Sequence, residues 1–254
     1  MVGEDEIYPR RKEKKRQMFD SSEAQKAVEN VLDDSTMDAL LKAADRNLID
    51  RMHGIIESGK ESAILLADTS QGLAAVKIYM KRAGAFREMH QYLRGDKRFR
   101  NVKKDRKSVV DAWAKKEFKN LKKASDIVRC PEVYGLQKNV LVMEFIGEEF
   151  SPYPKLKNVN IENPDQALKQ SLNQMKALWE EEKIVHGDLS EYNILVEEDE
   201  LVWIDFSQGV HESHPEAREL LKRDVENVVN FFRCQGANLE MEKALNSFDI
   251  IWKA

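Results

Sequence analysis

The chain has 254 residues, 42% apolar and 34% charged, with 41 Lys and Arg against 45 Asp and Glu; this suits one large domain or one bilobed unit and excludes a disordered tail or a fibre. No run approaches the ~20 consecutive apolar residues that cross a bilayer, and the opening MVGEDEIYPRRKEKKR lacks the apolar centre of a signal peptide, so a cytoplasmic protein without a membrane partner is expected. Cys130 and Cys234 stand far apart with no CxxC or Cys/His pattern, and both are read as reduced, packed thiols.

Residues 1–20 are charged and read as frayed. From Ser22 to Ala44, the spacing of Ala24, Ala27, Val28, Val31, Leu32, Leu40 and Leu41 suits amphipathic helix. The period then changes. Ile49 to Ile56, Ala63 to Ala67 and Leu73 to Tyr79, separated by ESGKES and TSQG, read as three strands of a small antiparallel sheet.

A basic stretch follows: from Lys81 to Lys123 there are 16 Lys or Arg and 5 Asp or Glu, which leaves 25 basic and 40 acidic residues elsewhere. Such segregation suits a polyanion, because a cationic segment gains affinity by releasing counterions from phosphates. It equally suits a solvated, mobile loop followed by a charged helix face, and Phe86, Tyr92 and Phe99 make no aromatic ladder that would decide.

From Val109, the residues Val110, Trp113, Ala114, Phe118 and Leu121 fall at helical spacing. Two short strands come next, the second at Val140 to Ile146, apolar enough to be buried on both faces. Pro164 to Lys183 reads as a helix capped by Asn163, with Leu168, Leu172, Met175, Leu178 and Trp179 as its stripe. NILV (193–196) and LVWIDF (201–206) form a hairpin around EEDE. Pro215 to Phe232 closes the series as a helix burying Leu220, Leu221, Val225, Val228, Val229 and Phe232.

The chemistry lies in the order of the parts. In HGDLSEYNILV, Asp188 and Asn193 are five residues apart, and IDF places Asp205 17 residues after Asp188. This follows the protein-kinase order HRDLxxxxN, then DFG. Phosphoryl transfer needs these types because positioning and charge neutralisation carry most of its catalysis. Asp205 would hold Mg2+ or Mn2+ against nucleotide phosphates, Asn193 would add a second ligand, and Asp188 would orient the attacking hydroxyl or water and accept its proton. AAVK puts Lys77 on a strand where its ammonium can bridge the α- and β-phosphates of ATP, with Glu117 of WAKKEFKNL as its helix-borne partner. SGKES, in the glycine-loop position, is neither GxGxxG nor Walker A; its Gly59 backbone, the Ser58 and Ser62 hydroxyls and Lys60 would meet the phosphates. Met143 is the expected gatekeeper, and Glu144 and Ile146 would offer backbone groups to adenine.

Each part alone has a plainer reading. Lys77 is then a surface lysine, SGKES a hairpin turn, Glu117 a solvent-facing charge and Asp205 a turn cap. His186 is read as a core histidine bracing a loop. The ordered conjunction favours the nucleotide site.

At HGDLSEYNILV with WIDFSQGV the chain resembles the RIO family of atypical serine protein kinases. SGKES, LAAVKIY, WAKKEFKNL and LVMEFIG are similar to its first subgroup, archaeal members included, and the likeness runs from about Asn47 to Phe232. The resemblance implies an α+β, bilobed protein-kinase-like fold: a helical extension over residues 1–46, a small antiparallel-sheet N-lobe and hinge over 47–146 with a basic flexible loop at 81–108, and a truncated, mainly helical C-lobe over 147–254. It further implies ATP and Mg2+ dependence, serine phosphorylation including autophosphorylation, ATPase behaviour in which Asp205 is transiently phosphorylated, and a role in maturing the small ribosomal subunit, whose precursor or rRNA the basic segment would contact.

Two departures from ordinary kinases matter. Gly187 replaces the HRD arginine that clamps a phosphorylated activation loop. DFS replaces DFG, and no APE signal follows, so an activation segment is not expected and a large assembly, the protein itself or water becomes the expected acceptor. A small-molecule kinase of the aminoglycoside or choline type also writes HGD, Asn and IDF, but fits SGKES and IDFSQG poorly. The other rival is an ATP-binding assembly scaffold with little turnover.

Overall fold

A computed structural model describes residues 18–80, 89–90, 92–248, 250 and 252. The expectations for residues 1–17 and 81–88, Phe86 among them, lie outside the described residues. Two compact units emerge, neither contiguous in sequence: one from the described residues within 1–89, 103–118 and 133–145, the other from those within 90–102, 119–132 and 146–254. The division departs from a single cut at 146 because residues 90–102 and 119–132 group with the C-terminal part. Among the described residues no helix is long and apolar enough to cross a membrane.

The first unit is built on a five-stranded antiparallel sheet. Its strands are β1 (Arg51–Ser58), β2 (Ser62–Thr69), β3 (Gly72–Tyr79), β4 (Val133–Gln137) and β5 (Val140–Glu144), in the order β1-β2-β3-β5-β4. Because side chains alternate along a strand, Ala74, Val76 and Ile78 of β3 share one face. With Ala63, Leu65 and Ala67 of β2 and Val140 and Val142 of β5 they form an apolar core. Helices α1 (Ser22–Val31) and α2 (Asp34–Asp45) cover that face through Val28, Ala39 and Leu40. The single helical stretch expected over 22–44 is broken at Asp33, whose carboxylate accepts from the Thr36 amide at 2.7 Å and so starts a second helix. β5 ends at Glu144, short of Ile146; flanked by β3 and β4, it buries Val140 to Met143 without alternation.

In the basic segment, residues 89–90 and 92–95 are helical and Lys97–Phe99 forms a 3-10 turn capped by the Asp96 side chain. The described part of the expected flexible loop is thus folded as far as Phe99. Helix α3 spans Arg106–Ala124, and the division between units falls within it.

In the second unit, α4 (Pro164–Ala177) is capped by Asn163 and runs into a π turn at Leu178–Glu182. β8 (Ile184–Val185) pairs with β11 (Val210–His211), and β9 (Ile194–Glu197) with β10 (Glu200–Trp203), while a two-residue pair, β6 (Gly147–Glu148) with β7 (Ser151–Pro152), follows β5 in the chain. Helix α5 (Ala217–Cys234) buries its apolar stripe, and α6 (Met241–Asn246) follows. Residues 206–216 alone connect Asp205 to α5, too short a span for a kinase-type activation segment. Cys130 is buried as expected; Cys234 at the end of α5 is exposed, a correction to its reading as packed.

Candidate active site

In the first unit, Lys77 sits on the β3 face opposite the core just described. Its ammonium donates to Glu117 Oε1 of α3 at 2.9 Å, with Lys77 3% and Glu117 0% exposed. Burying two ions costs several kcal/mol each unless geometry and partners compensate, so neither is a surface charge. Glu117 lies on the same helix face as Trp113, Ala114 and Leu121, all buried.

The SGKES turn joins β1 to β2. Gly59 donates its amide to Ser62 O at 2.9 Å, so that amide closes the hairpin and is already engaged. Ser58, Gly59 and Lys60 are exposed and Ser62 is half-buried. A β carbon on Gly59 would meet only Ser62 O at 3.6 Å, an ordinary contact. On β5, Met143 lies opposite Ala75 on one side and Val133 on the other, and Glu144 opposite Ala74. In the second unit, Ile146 accepts from the Tyr153 amide at 3.1 Å, and its side chain packs with Leu195 and Val202.

The second unit gathers Asp188, Asn193 and Asp205. Asn193 Nδ2 donates to Asp188 O at 2.8 Å and to Asp188 Oδ2 at 3.1 Å; Gln208 Nε2 donates to the same Oδ2 at 3.2 Å. Burial, and then the charge of Asp205, hold the Asp188 carboxyl above the usual carboxylate range, against the pull of Arg223 and Asn193. Asp205 adopts left-handed backbone, φ 62°, an uncommon conformation for a residue other than glycine; the Ser207 amide donates to its Oδ1 at 3.3 Å. Strain of this kind persists where surrounding structure imposes it.

These oxygens suit Mg2+. Beyond burial, the Asp205 charge raises the Asp188 carboxyl, so a cation beside both carboxylates is favoured, and an all-oxygen donor set matches a hard ion held jointly with phosphates. Among the described residues no cluster of three or more His, Cys, Asp or Glu that could hold a metal ion is present.

His186 is the bracing core histidine expected. It is 3% exposed, its Nδ1 accepts from the Asp188 amide at 3.3 Å, and its Nε2 lies 3.0 Å from Ile204 O. Gln208, Arg223 and Asp224 went unread in the sequence; Asp224 of α5, 1% exposed, accepts from the Gly187 and Leu189 amides at 2.7 and 2.9 Å. Burial pushes its pKa up to about 8, opposed by those two amides and by Arg223. Arg223 donates to Gly187 O. The signal was present, since Asp224 falls on the apolar stripe of Leu220, Leu221, Val225 and Val228.

Residues 63–245 match the RIO domain family model. The chain belongs to the RIO family. It is 42% identical over 208 residues to the RIO-type serine/threonine-protein kinase Rio1 of Methanocaldococcus jannaschii, covering 82% of this chain and 72% of that one. Against the Haloferax volcanii protein of the same name it is 43% identical over 217 residues, covering 85% and 74%. Human serine/threonine-protein kinase RIO1 is 37% identical over 81% of this chain, which spans 37% of the human protein. This RIO domain is thus of the Rio1 subgroup and the archaeal type. Its fold is kinase-like: the Rio2 kinase of Chaetomium thermophilum, in its ADP/Mg2+-phosphoaspartate complex, superposes with a TM-score of 0.60 at 20% identity, covering 82% of this chain and 65% of that chain. A second structure of that kinase gives 0.62 at 21%, covering 85% and 69%.

Proposed function

We propose that this RIO domain is an atypical serine/threonine protein kinase that transfers the γ-phosphoryl group of ATP with Mg2+, or Mn2+ in its place, to serine, its own chain included. The observation that carries this reading is the buried Lys77–Glu117 pair. A lysine held inside a sheet against a glutamate is costly to fold, and its established use in kinases is to be aimed at nucleotide phosphates. The kinase names of the Rio1 relatives support the same reading.

In this assignment Asp188 orients the acceptor hydroxyl and takes its proton at the carboxylate that Asn193 and Gln208 hold. Asp205 and Asn193 hold the metal, which when bound neutralises charge on the phosphates. The Ser58, Lys60 and Ser62 side chains cover the phosphates. The Gly59 contribution is close approach: nothing within the chain demands glycine there, so the missing β carbon leaves room for a ligand. The Met143 to Ile146 connection receives adenine. With only residues 206–216 between Asp205 and α5, a free peptide has little to dock on, which favours a large assembly or the chain itself as acceptor. The phosphoaspartate of the Rio2 complex supports a parallel ATPase route through Asp205.

The partner in this proposal is a small ribosomal subunit precursor or its rRNA, met by the basic segment 81–123. Arg94, Lys97, Arg100, Lys103, Lys104, Arg106 and Lys107 are exposed there. The deciding experiment follows labelled ATP with and without small ribosomal subunits. Label on serine of the chain or of the particle, and its loss in Asp205→Ala, supports the kinase; wild-type phosphate release by Asp205→Ala overturns it. Neutralising the Lys97 to Lys107 cluster should weaken binding and flatten its salt dependence, and unchanged binding removes the ribosomal partner.

A further inference from the structure

Described residues between β3 and α3 are hydrogen-bonded to the loops that carry Asp188 and Asp205, through Gln208 and Asn120. Tyr92 donates its hydroxyl to Gln208 Oε1 at 3.0 Å, and the same amide donates through Nε2 to Asp188 Oδ2 at 3.2 Å. A second line starts at Asp96, 1% exposed, which accepts a fork from Arg98: Nε lies 3.0 Å from Oδ1 and the terminal nitrogen 2.6 Å from Oδ2. The other terminal nitrogen of Arg98 donates to Asn120 Oδ1 at 2.8 Å, and Asn120 Nδ2 donates to Phe206 O at 3.0 Å and Gly209 O at 2.8 Å. Asn120 is 0% exposed, so its amide is oriented by partners on both ends. Gly209 fits because a β carbon there would lie 2.7 Å from Asn120 Nδ2, and Gly95 fits because a β carbon there would overlap the His214 ring.

Both lines therefore end on the machinery: one on the Asp188 carboxylate, the other on the backbone just after Asp205. Ordinary kinases steady this region through the HRD arginine and the activation segment. Here Gly187 stands in the arginine position and residues 206–216 are the whole connection to α5.

We propose that Tyr92 and Arg98 are positioning residues for phosphoryl transfer, Tyr92 by fixing the Gln208 amide that holds Asp188, and Arg98 by fixing the Asn120 amide that holds the loop carrying Asp205. This rests on the roles given to Asp188 and Asp205 under Proposed function. The basic segment then has two faces of different use. Arg94, Lys97 and Arg100 are exposed, whereas Tyr92, Asp96 and Arg98 turn inward.

The test uses the full chain with Tyr92→Phe, Arg98→Lys, Gln208→Ala, the double variant Tyr92→Phe/Gln208→Ala, and Asp205→Ala as reference. One neutral hydrogen bond is worth ~1 kcal/mol, so Tyr92→Phe should lower kcat roughly five- to tenfold while the KM for ATP and the melting temperature stay near wild type. In the Gln208→Ala background the same change should have no further effect, the signature of action through that amide. Arg98→Lys keeps the charge beside Asp96 but not the fork, and should weaken calorimetric binding of Mg2+·ADP about tenfold with metal-free ADP binding unchanged.

Wild-type kcat in Tyr92→Phe, an undiminished effect in the Gln208→Ala background, or equal loss of metal-free and Mg2+-dependent ADP binding in Arg98→Lys would overturn the inference. A fall in activity that merely tracks a fall in melting temperature would overturn it too. Asp205→Ala separates the two levels: if that variant is inactive and Tyr92→Phe is not impaired, only the positioning role falls, whereas turnover by Asp205→Ala brings down the catalytic assignment and this inference with it.

Discussion

Asp224 and Gly187 hold one another through a single short contact, the Gly187 amide donating to Asp224 Oδ2 at 2.7 Å, while Arg223 of the same helix reaches the Gly187 carbonyl. Gly187 has φ 80°, and a β carbon there would lie 3.0 Å from Gln208 O. The glycine of HGD is therefore required by the loop's own conformation and by the close approach of residue 208, independently of the arginine it displaces. The 186–189 loop, the backbone at Gln208 and α5 are locked together at this point.

Asp224→Ala should destabilise the protein by about 2–4 kcal/mol, because two buried amides lose their acceptor, and should reduce turnover along with it. Urea unfolding monitored by tryptophan fluorescence measures the first, and a stability loss under about 1 kcal/mol would contradict the buried contact.

Gly187→Ala places a side chain at positive φ against a carbonyl and should cost about 1–3 kcal/mol. Gly187→Arg, which restores HRD, should be at least as costly and should not raise activity. Steady-state kinetics and thermal melting on both variants decide this.

Lys77→Met leaves Glu117 buried without its cation and should cost about 3–5 kcal/mol. Lys77→Met/Glu117→Leu should regain most of that stability, since apolar replacements of a buried pair are often tolerated, yet remain inactive. Recovery of stability without turnover in the double variant identifies the pair as functional; recovery of both would make it structural only.

His53 lies between two carboxylates, Asp20 and Asp68, with a ring nitrogen 3.0 Å from each. Burial pulls its pKa down, but Asp68 and Asp20 outweigh it and the net shift is upward. A base raised in the folded state contributes stability below its unfolded pKa of ~6.5 and loses it as pH rises through the folded value. Wild type should thus lose this increment as pH rises above 6.5 through the raised folded value, and His53→Gln should not. Chemical unfolding of both proteins from pH 5.5 to 8.5 reads the difference.

Much of this was legible from the order of the parts, though each part alone read more plainly. Lys77 could be placed on a strand by its AAVK setting, Glu117 by the stripe of Trp113, Ala114 and Leu121, and Asp188, Asn193 and Asp205 by their order and spacing. Period and turn signals also placed four of the five sheet strands, leaving the one at Val133–Gln137 without bounds, and the helices at 164 and 217. Their errors were local: Asp33 supplied a cap inside what looked like one helix, and Cys234 fell past the buried stripe of α5.

Asp224 was visible as an acid on an apolar stripe, but periodicity cannot say which amides such an acid meets. The links from Tyr92 to Gln208 and from Arg98 to Asn120 left no pattern at all, because they join single side chains on distant segments. The amino-acid order by itself determined which chemical groups this protein owns and which faces of its elements are buried, since both follow from residue type and period. Which buried donor meets which acceptor was decided only by tertiary structure, because a hydrogen bond depends on distances and angles of a few tenths of an ångström that chain folding alone sets.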